Sequence, residues 1–476
     1  MEKIKNYING QFVDPISALW MPNINPANGE TISLVPNSNA ADVDQAVQAA
    51  HEAFPAWSEM AVEKRCEYLL LIADQIEEHF EEFAMLETLD NGKPLWLSKK
   101  IDIPRVVENF RFFAKYVPTV KAFSVRKGDK ALSQITRMPV GVAALITPWN
   151  LPLYLLTWKI APALACGNTV VCKPSEVTPM TAYFLAQILD PLPLPKGVFN
   201  IVFGTGLDVG RPLVSHTDVK LVSFTGGTQT GKQIEKDIAG QCKKTSLELG
   251  GKNAIVIAAD VDIDQTVDEL IKASFLNQGQ ICLCGERVFI HADIFAIFVE
   301  KFVHKTKKII VGDPLHKTSF MGPLVSQDHW QKVRQCIAQR VKAGAKVLAG
   351  DETLQNDKGY YLRPTILSGL DQNHSCHTEE IFGPVVTVEP YQDEDEVVKM
   401  INNSPYGLCA SIFCKDQDRA QMIARKIRAG TVWINCWLVR DLRVPFGGMK
   451  QSGIGREGGQ YSVDFYTEYK TICTAL

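Results

Sequence analysis

Five short apolar runs rich in β-branched residues follow one another from Gly141: GVAALI, NTVVCK, VFNIVFG, VKLVSFTGG and TSLELGG. Between them lie stretches of helical periodicity, TPMTAYFLAQIL and TQTGKQIEKDIAG. A buried strand reads as a short continuous apolar run, whereas a surface helix repeats its apolar residues at three and four. The alternation therefore predicts right-handed βαβ units around a parallel sheet, with ligands at the carboxyl ends of the strands. A second β/α block follows from about Asn253 to Ile434, and no linker precedes it, because GGKNAIVIAADVDI runs straight on. Upstream, residues 41–54 and 63–94 read as helical, the latter as one region stopping at Asn91-Gly92, and 101–117 as a further helix. The expected fold class is α/β, with two domains of similar build.

The 476 residues, 46% hydrophobic and 22% charged, are enough for two or three domains with ample core. A net charge of -3 without long Lys/Arg runs gives no electrostatic footprint for nucleic acid or an anionic membrane. The N-terminus lacks the apolar core of a signal peptide, and nothing approaches the roughly 20 apolar residues of a membrane span. A cytoplasmic enzyme is the expectation. The 12 cysteines are scattered through apolar segments, which favours reduced thiols. No Cys-x-x-Cys pair exists, and HSCH at His374 to His377 has no second half at zinc-finger spacing, so no metal is expected.

The strand-end turns carry the chemistry. FTGGTQTGK nearly spells a phosphate-binding P-loop, but Gln233 stands where that loop needs a hydroxyl for Mg²⁺, which argues against a nucleotide triphosphatase. Alone, such glycines say only that backbone approaches something closely or that helices pack tightly on strands. Lys173 and Glu176 in CKPSEVTP sit at the mouth of the sheet, where a carboxylate accepts ribose hydroxyls and repels a 2′-phosphate; a solvated loop pair is the bland reading. Thr178-Pro179 is expected to open the next helix as cap and first helical residue. Asn150, just past GVAALI, is either a satisfied core amide or a preorganised donor for an oxyanion. Glu248, between two leucines, is either a partly exposed strand residue or, if buried, a base with raised pKa. In FLNQGQICLCGER the polar surroundings tilt the choice from a core cysteine toward a nucleophile, without separating Cys282 from Cys284.

Together these segments resemble the aldehyde dehydrogenase superfamily. TPWNLPL, GNTVVCKPSE, FTGGTQTG, LELGGK, FLNQGQICLCGER, EEIFGPVV, PFGGMKQSGIGREGG and YTEYKT recur in the family's order over essentially the whole chain. The resemblance implies a Rossmann-like cofactor domain (residues 1–122 and 139–250), a catalytic domain (251–451), and a β arm with C-terminal return (123–138 and 452–476). The arm would join a homo-oligomer, a dimer or a tetramer. It makes Cys282 the nucleophile, Glu248 the general base, and Asn150 with the Cys282 N–H the oxyanion hole, and it makes NAD the cofactor. Lys173 and Glu176 would meet the adenosine ribose, Gly226 and Gly231 the pyrophosphate turn, and Glu380 and Phe382 the nicotinamide side. Thr147, Pro148, Trp149, Ser175, Gly206, Phe224, Gly227 and Leu249 complete the implied cofactor set. The family's turn usually reads Phe-Thr-Gly-Ser, so Gly227 removes one hydroxyl contact to the pyrophosphate.

Two arginines bear on the substrate. Arg105 in DIPR and Arg440 in NCWLVRDLR fall where family members commonly carry apolar or aromatic residues lining the substrate tunnel. A guanidinium pair suits bidentate capture of a carboxylate at the far end of the substrate. The same segments look like the branch acting on 2-aminomuconic and 2-hydroxymuconic 6-semialdehydes. Arg443 competes with Arg440 for the role, and Asp441 is placed to neutralise either. The alternatives are a dehydrogenase of neutral or cationic aldehydes, such as betaine aldehyde, and a catalytically silent relative.

Overall fold

The computed structural model describes residues 2–350, 358–370, 374 and 377–476. Ser375 and Cys376 of the HSCH segment lie outside the described residues.

The five runs of the opening pattern form the centre of an eight-stranded sheet. Val142–Ile146 lies in the middle. Thr169–Lys173 and Phe199–Ile201 extend it on one side, Val219–Thr225 and Lys244–Glu248 on the other, all parallel. Chain direction along the sheet reverses between Val142–Ile146 and Val219–Thr225, which opens a crevice at their carboxyl ends. Antiparallel strands close the edges: Asn6–Ile8 and Gln11–Val13 at one, Gly453–Ile454 at the other. That last pairing brings the segment up to Glu457 away from the C-terminal strand and onto the first sheet.

A seven-stranded sheet follows, six of its strands parallel, in the order Lys346–Ala349, Thr365–Ser368, Val385–Tyr391, Gly285–His291, Asn253–Ile257, Cys409–Phe413, Thr431–Ile434. The strands Asn253–Ile257 and Gly285–His291 are wholly buried; the first reads as an apolar run for that reason, whereas the second buries Glu286 and Arg287 as well. A separate three-stranded sheet pairs Phe123–Lys127 and Ala131–Pro139 with Thr467–Ala475. Nearly all of Phe123–Lys127 and Thr467–Ala475 is exposed, Phe123, Val125, Tyr469 and Ile472 included.

Two local expectations are corrected. The helical region 63–94 is two helices, Val62–Glu78 and Phe80–Asn91, broken at His79. The break turns Phe83 onto Phe184, with ring centroids 4.6 Å apart. The second helix does stop at Gly92, whose φ of +83° and whose neighbours Pro26 and Pro323, each 2.8 Å from any added Cβ, admit only glycine. Thr178 is not a helix cap. The helix is Met180–Leu189, and the Met180 N–H is taken by Asp90 Oδ2 at 2.8 Å, while the Thr178 hydroxyl donates to the Trp149 carbonyl at 3.3 Å. A cap supplied from 90 residues away leaves no local signal.

Candidate active site

Three adjoining cavities run across the crevice. An outer groove of ≈ 620 Å³ lies over the carboxyl ends of the first sheet. A middle cavity of ≈ 240 Å³ is shared between the sheets, and a third of ≈ 520 Å³ leads away to the surface. Cys282 and Glu248 line both the second and the third.

Cys282 reaches this junction through an unusual turn. After the helix Ile263–Phe275, Asn277, Gln278 and Gly279 all have positive φ, at 52°, 58° and 68°. Left-handed non-glycine residues cost on the order of 1–3 kcal/mol each, so their surroundings must impose the shape. Here the amides do so. Asn277 Nδ2 donates to the Asn150 carbonyl (3.1 Å), Gln278 Nε2 to the Pro323 carbonyl (3.0 Å), and Gln280 Oε1 accepts from the Val325 N–H (3.1 Å). Gly279 passes so close to Gly383 that a Cβ would lie 2.3 Å from its carbonyl oxygen. Asn253 Nδ2 then ties down the carbonyls of Cys282 (2.7 Å) and Cys284 (2.9 Å).

The two cysteines part here. Cys284 is buried, with its thiol directed at the Leu276 carbonyl (3.8 Å), whereas Cys282 is half-buried and faces the cavities. Burial, and after it the charge of Glu248, push the Cys282 thiol up to about 12, so it waits as the neutral thiol.

Glu248 is buried, not partly exposed as a strand-end residue would be. Neither carboxylate oxygen has a hydrogen-bond partner among the described residues. Burial first, then the neighbouring Glu457, hold its pKa well above the usual range. Gly447 makes room for it, since a Cβ there would stand 2.8 Å from Oε1.

Asn150 is anchored from behind. Its carbonyl accepts from Lys93 Nζ (3.1 Å), Asn277 Nδ2 (3.1 Å) and Asn91 Nδ2 (3.3 Å). Its own amide gives one hydrogen to the Gln280 carbonyl at 2.9 Å, and the residue lines the middle cavity.

The outer groove fits a dinucleotide. Thr147 and Thr225 line it, and their hydroxyls are buried without a partner among the described residues. Gly227 precedes the helix Thr228–Asp237, whose first N–H groups have no side-chain cap, as an anionic pyrophosphate requires. Lys173 Nζ reaches Glu176 Oε2 at 3.1 Å, and both residues line the groove. Pro148, Trp149, Ser175, Gly206, Phe224, Gly226 and Gly227 also line it. Gly231 does not: it lies behind Leu249, whose Cδ2 is 2.5 Å from where a Cβ would be. Leu249, Glu380 and Phe382 line the middle cavity.

Several residues here were not singled out from the sequence. Glu286 accepts the N–H groups of Ile381 (3.1 Å) and Phe382 (2.9 Å), holding the turn in which Phe382 has a φ of 60°. His329 donates to the Phe382 carbonyl (2.7 Å) and packs on Trp149, with ring centroids 5.0 Å apart. Glu457 pairs with Lys159 (2.8 Å) in the interior and borders the third cavity.

Arg105 and Arg440 both line the third cavity. Arg105 Nε donates to Asn109 (3.2 Å) and Nη1 lies 3.4 Å from Glu108, but Nη2 is buried with no partner among the described residues. Arg440 makes no ion pair among them; its guanidinium rests on Phe446, 3.7 Å from the ring centroid. Asp441 is taken instead by the exposed Arg443, which does not line the cavity.

Among the described residues no group of three or more His, Cys, Asp and Glu is arranged to hold a metal ion, and no helix is long and apolar enough to cross a membrane.

The aldehyde dehydrogenase family model matches residues 12–472. A 2-aminomuconic semialdehyde dehydrogenase of Danio rerio is 48% identical, covering 98% of this chain and 97% of its own length. A 2-hydroxymuconic semialdehyde dehydrogenase of Pseudomonas sp. (strain CF600) is 43% identical over the whole of both chains. Among solved structures, the NAD+ complex of an aldehyde dehydrogenase from Bacillus cereus superposes with a TM-score of 0.97 at 39% identity, covering 100% of this chain and 97% of that one.

Proposed function

The chain belongs to the aldehyde dehydrogenase family, and on that premise we propose that it oxidises a carboxylate-bearing semialdehyde, such as 2-aminomuconic or 2-hydroxymuconic 6-semialdehyde, to the dicarboxylic acid with NAD. The observation that carries the substrate class is the third cavity: two guanidiniums converge on the space that also holds Cys282, with no anion assigned to Arg440 and one Arg105 nitrogen unsatisfied. A buried polar group left unpaired is costly, and a substrate carboxylate supplies the missing acceptor. A cationic aldehyde would meet the same two charges as repulsion.

In this reading the Cys282 thiol gives its proton to solvent as its sulfur bonds to the aldehyde carbon, giving a tetrahedral thiohemiacetal oxyanion. The second amide hydrogen of Asn150 and the main-chain N–H of Cys282 hold that oxygen, each worth about 3 kcal/mol by analogy with other oxyanion holes. NAD, when bound, would accept the hydride lost from that carbon, which leaves the Cys282 thioester. Glu248 then takes a proton from the water that cleaves the thioester, its burial raising its proton affinity above that of an ordinary carboxylate.

Lys173, Ser175 and Glu176 would meet the adenosine ribose, Gly226 and Gly227 the pyrophosphate, and Glu380 and Phe382 the nicotinamide side. Glu176 favours NAD over NADP, since its carboxylate would repel a 2′-phosphate, and the nearby Arg211 is engaged by Asp237 at 3.3 Å. We assign the cofactor to residues 1–122 and 139–250, and catalysis to 251–451. The exposed arm is read as the seam of a dimer or tetramer. The cysteines among the described residues are all free, which suits a reducing compartment such as the cytoplasm.

The test follows NADH absorbance with an enzymatically generated muconic semialdehyde, with hexanal and betaine aldehyde as controls, in wild type, Arg105→Ala and Arg440→Ala. A wild-type preference for the semialdehyde, lost in both variants while hexanal turnover persists, supports the reading. Equal or better turnover of hexanal or betaine aldehyde, indifferent to both arginines, sinks it.

A further inference from the structure

Two like charges facing one cavity need something to hold them, and among the described residues no carboxylate makes an ion pair with both Arg105 and Arg440. What they share is an aromatic ring. The Arg105 guanidinium lies 5.7 Å and the Arg440 guanidinium 5.6 Å from the Trp158 ring centroid. Each has a second ring of its own, Tyr154 at 5.5 Å for Arg105 and Phe446 at 3.7 Å for Arg440, but among the described residues only Trp158 lies against both. Cations are attracted to the face of an aromatic ring, most strongly to indole and more so where water is excluded. Tyr154 and Trp158 stand four residues apart on the helix Pro152–Ala165, so one helical face carries both rings to the cavity.

The indole is held in its own plane. Trp158 Nε1 donates to Glu457 Oε2 at 2.7 Å, and Glu457 Oε1 is fixed by Lys159 at 2.8 Å, which in turn donates to Ser223 at 2.9 Å. Phe113 packs against the ring, centroids 5.6 Å apart. A ring so fixed sets the separation and tilt of two otherwise flexible side chains.

We infer that Trp158 is the positioning residue for carboxylate selectivity: its indole, locked by Glu457, holds the guanidiniums of Arg105 and Arg440 ready as a pair for the distal carboxylate of the substrate. This rests on the carboxylate-bearing substrate proposed above. Trp158 makes no claim on the reacting atoms and acts through the two arginines. Preorganisation of this kind appears in binding, since a clamp that must be assembled when substrate arrives lowers affinity.

The experiment uses the full-length enzyme with saturating NAD and compares wild type, Trp158→Leu and Trp158→Phe. The substrates are enzymatically generated 2-hydroxymuconic semialdehyde and hexanal, with adipate as a competitive inhibitor of hexanal oxidation. In Trp158→Leu the ratio of semialdehyde to hexanal kcat/KM falls at least tenfold, mainly through KM for the semialdehyde, and the adipate inhibition constant rises by a similar factor. Trp158→Phe keeps a ring face but loses the bond to Glu457, and it loses about threefold in the same ratio. Because Trp158 is buried, melting curves accompany each variant, and Trp158→Phe carries the test where Trp158→Leu does not fold.

An equal loss for both aldehydes, or a fall confined to kcat, makes Trp158 a packing residue and overturns the inference. A wild-type ratio in Trp158→Leu, alongside its collapse in Arg105→Ala and Arg440→Ala, overturns the inference but leaves the substrate reading standing. No wild-type preference for the semialdehyde sinks both.

Discussion

The carboxylate of Glu380 occupies the space that a side chain on Gly250 would fill: an added Cβ would stand 2.2 Å from Glu380 Oε2, while the Gly251 N–H donates to Oε1 at 2.9 Å. Burial holds Glu380 up at about 8, and the Gly251 bond works the other way by favouring the charged form. The Gly-Gly pair that ends the first sheet is therefore the seat of an acid reaching in from the second.

Gly250→Ala should displace that acid without unfolding the chain. With Glu380 assigned to the nicotinamide-side ribose, the expected result is a KM for NAD raised tenfold or more, with a melting temperature within a few degrees of wild type. A tenfold change corresponds to about 1.4 kcal/mol of binding. Initial rates over a range of NAD, at saturating aldehyde, measure it; an unchanged KM would remove Glu380 from the cofactor site.

Replacing Glu248 by Gln keeps the shape and removes the base. Thioester formation continues, and its hydrolysis becomes slow. Rapid mixing should show a burst of NADH approaching one per active site, followed by a steady rate reduced at least a hundredfold. Loss of the burst together with the steady rate would instead assign Glu248 to the first chemical step.

Why Glu248 needs this test bears on how much the sequence discloses. Its strand position was legible, but its burial was not, because alternation turns it from Leu247 and Leu249 toward a space closed by Gly447 and Glu457, some 200 residues away. The five-run pattern announced the parallel sheet because buried parallel strands are apolar on both faces. Asn150 and Cys282 were readable as candidates since each sits at a strand end or in a polar turn. Glu286, His329 and Glu457 carried no such mark. Glu286 reads as an ordinary charge opening a strand, His329 as one residue of an amphipathic helix, and Glu457 as part of a glycine-rich tail; each gains its partners only from segments far away in sequence, Phe382 for Glu286 and His329, and Lys159 for Glu457. The Thr178 cap failed for the same reason, since Asp90 supplies the acceptor.

Arg440 acts on the chemistry as well as on substrate. Its positive charge lowers the proton affinity of both Cys282 and Glu248, partly offsetting burial. Removing it raises both, so the acid limb of kcat/KM should move to higher pH in Arg440→Met. Hexanal is the substrate to use, because its binding does not need the guanidinium. A profile from pH 6 to 10 should show the limb shifted upward by about half a unit or more. An unmoved limb would confine Arg440 to substrate binding.

His329 offers a test of stability rather than rate. Burial lowers its imidazole to about 4, against roughly 6.5 for the unfolded chain, so the folded ring stays neutral and donates to the Phe382 carbonyl. The sign follows from proton binding: below pH 6.5 the unfolded state takes up a proton that the native state refuses. The stability is complete above that pH and is lost as pH falls toward 4, by up to about 3 kcal/mol at 1.36 kcal/mol per unit. In His329→Gln the amide keeps a donor for Phe382 and does not titrate. Urea midpoints at pH 7 and pH 4.5 should therefore differ less in the variant than in wild type. His377, also held near 4 by burial, preserves part of the slope in both proteins. Equal slopes would mean that His329 protonates in the folded state at its ordinary pH, and that the Trp149–Phe382 pocket admits water.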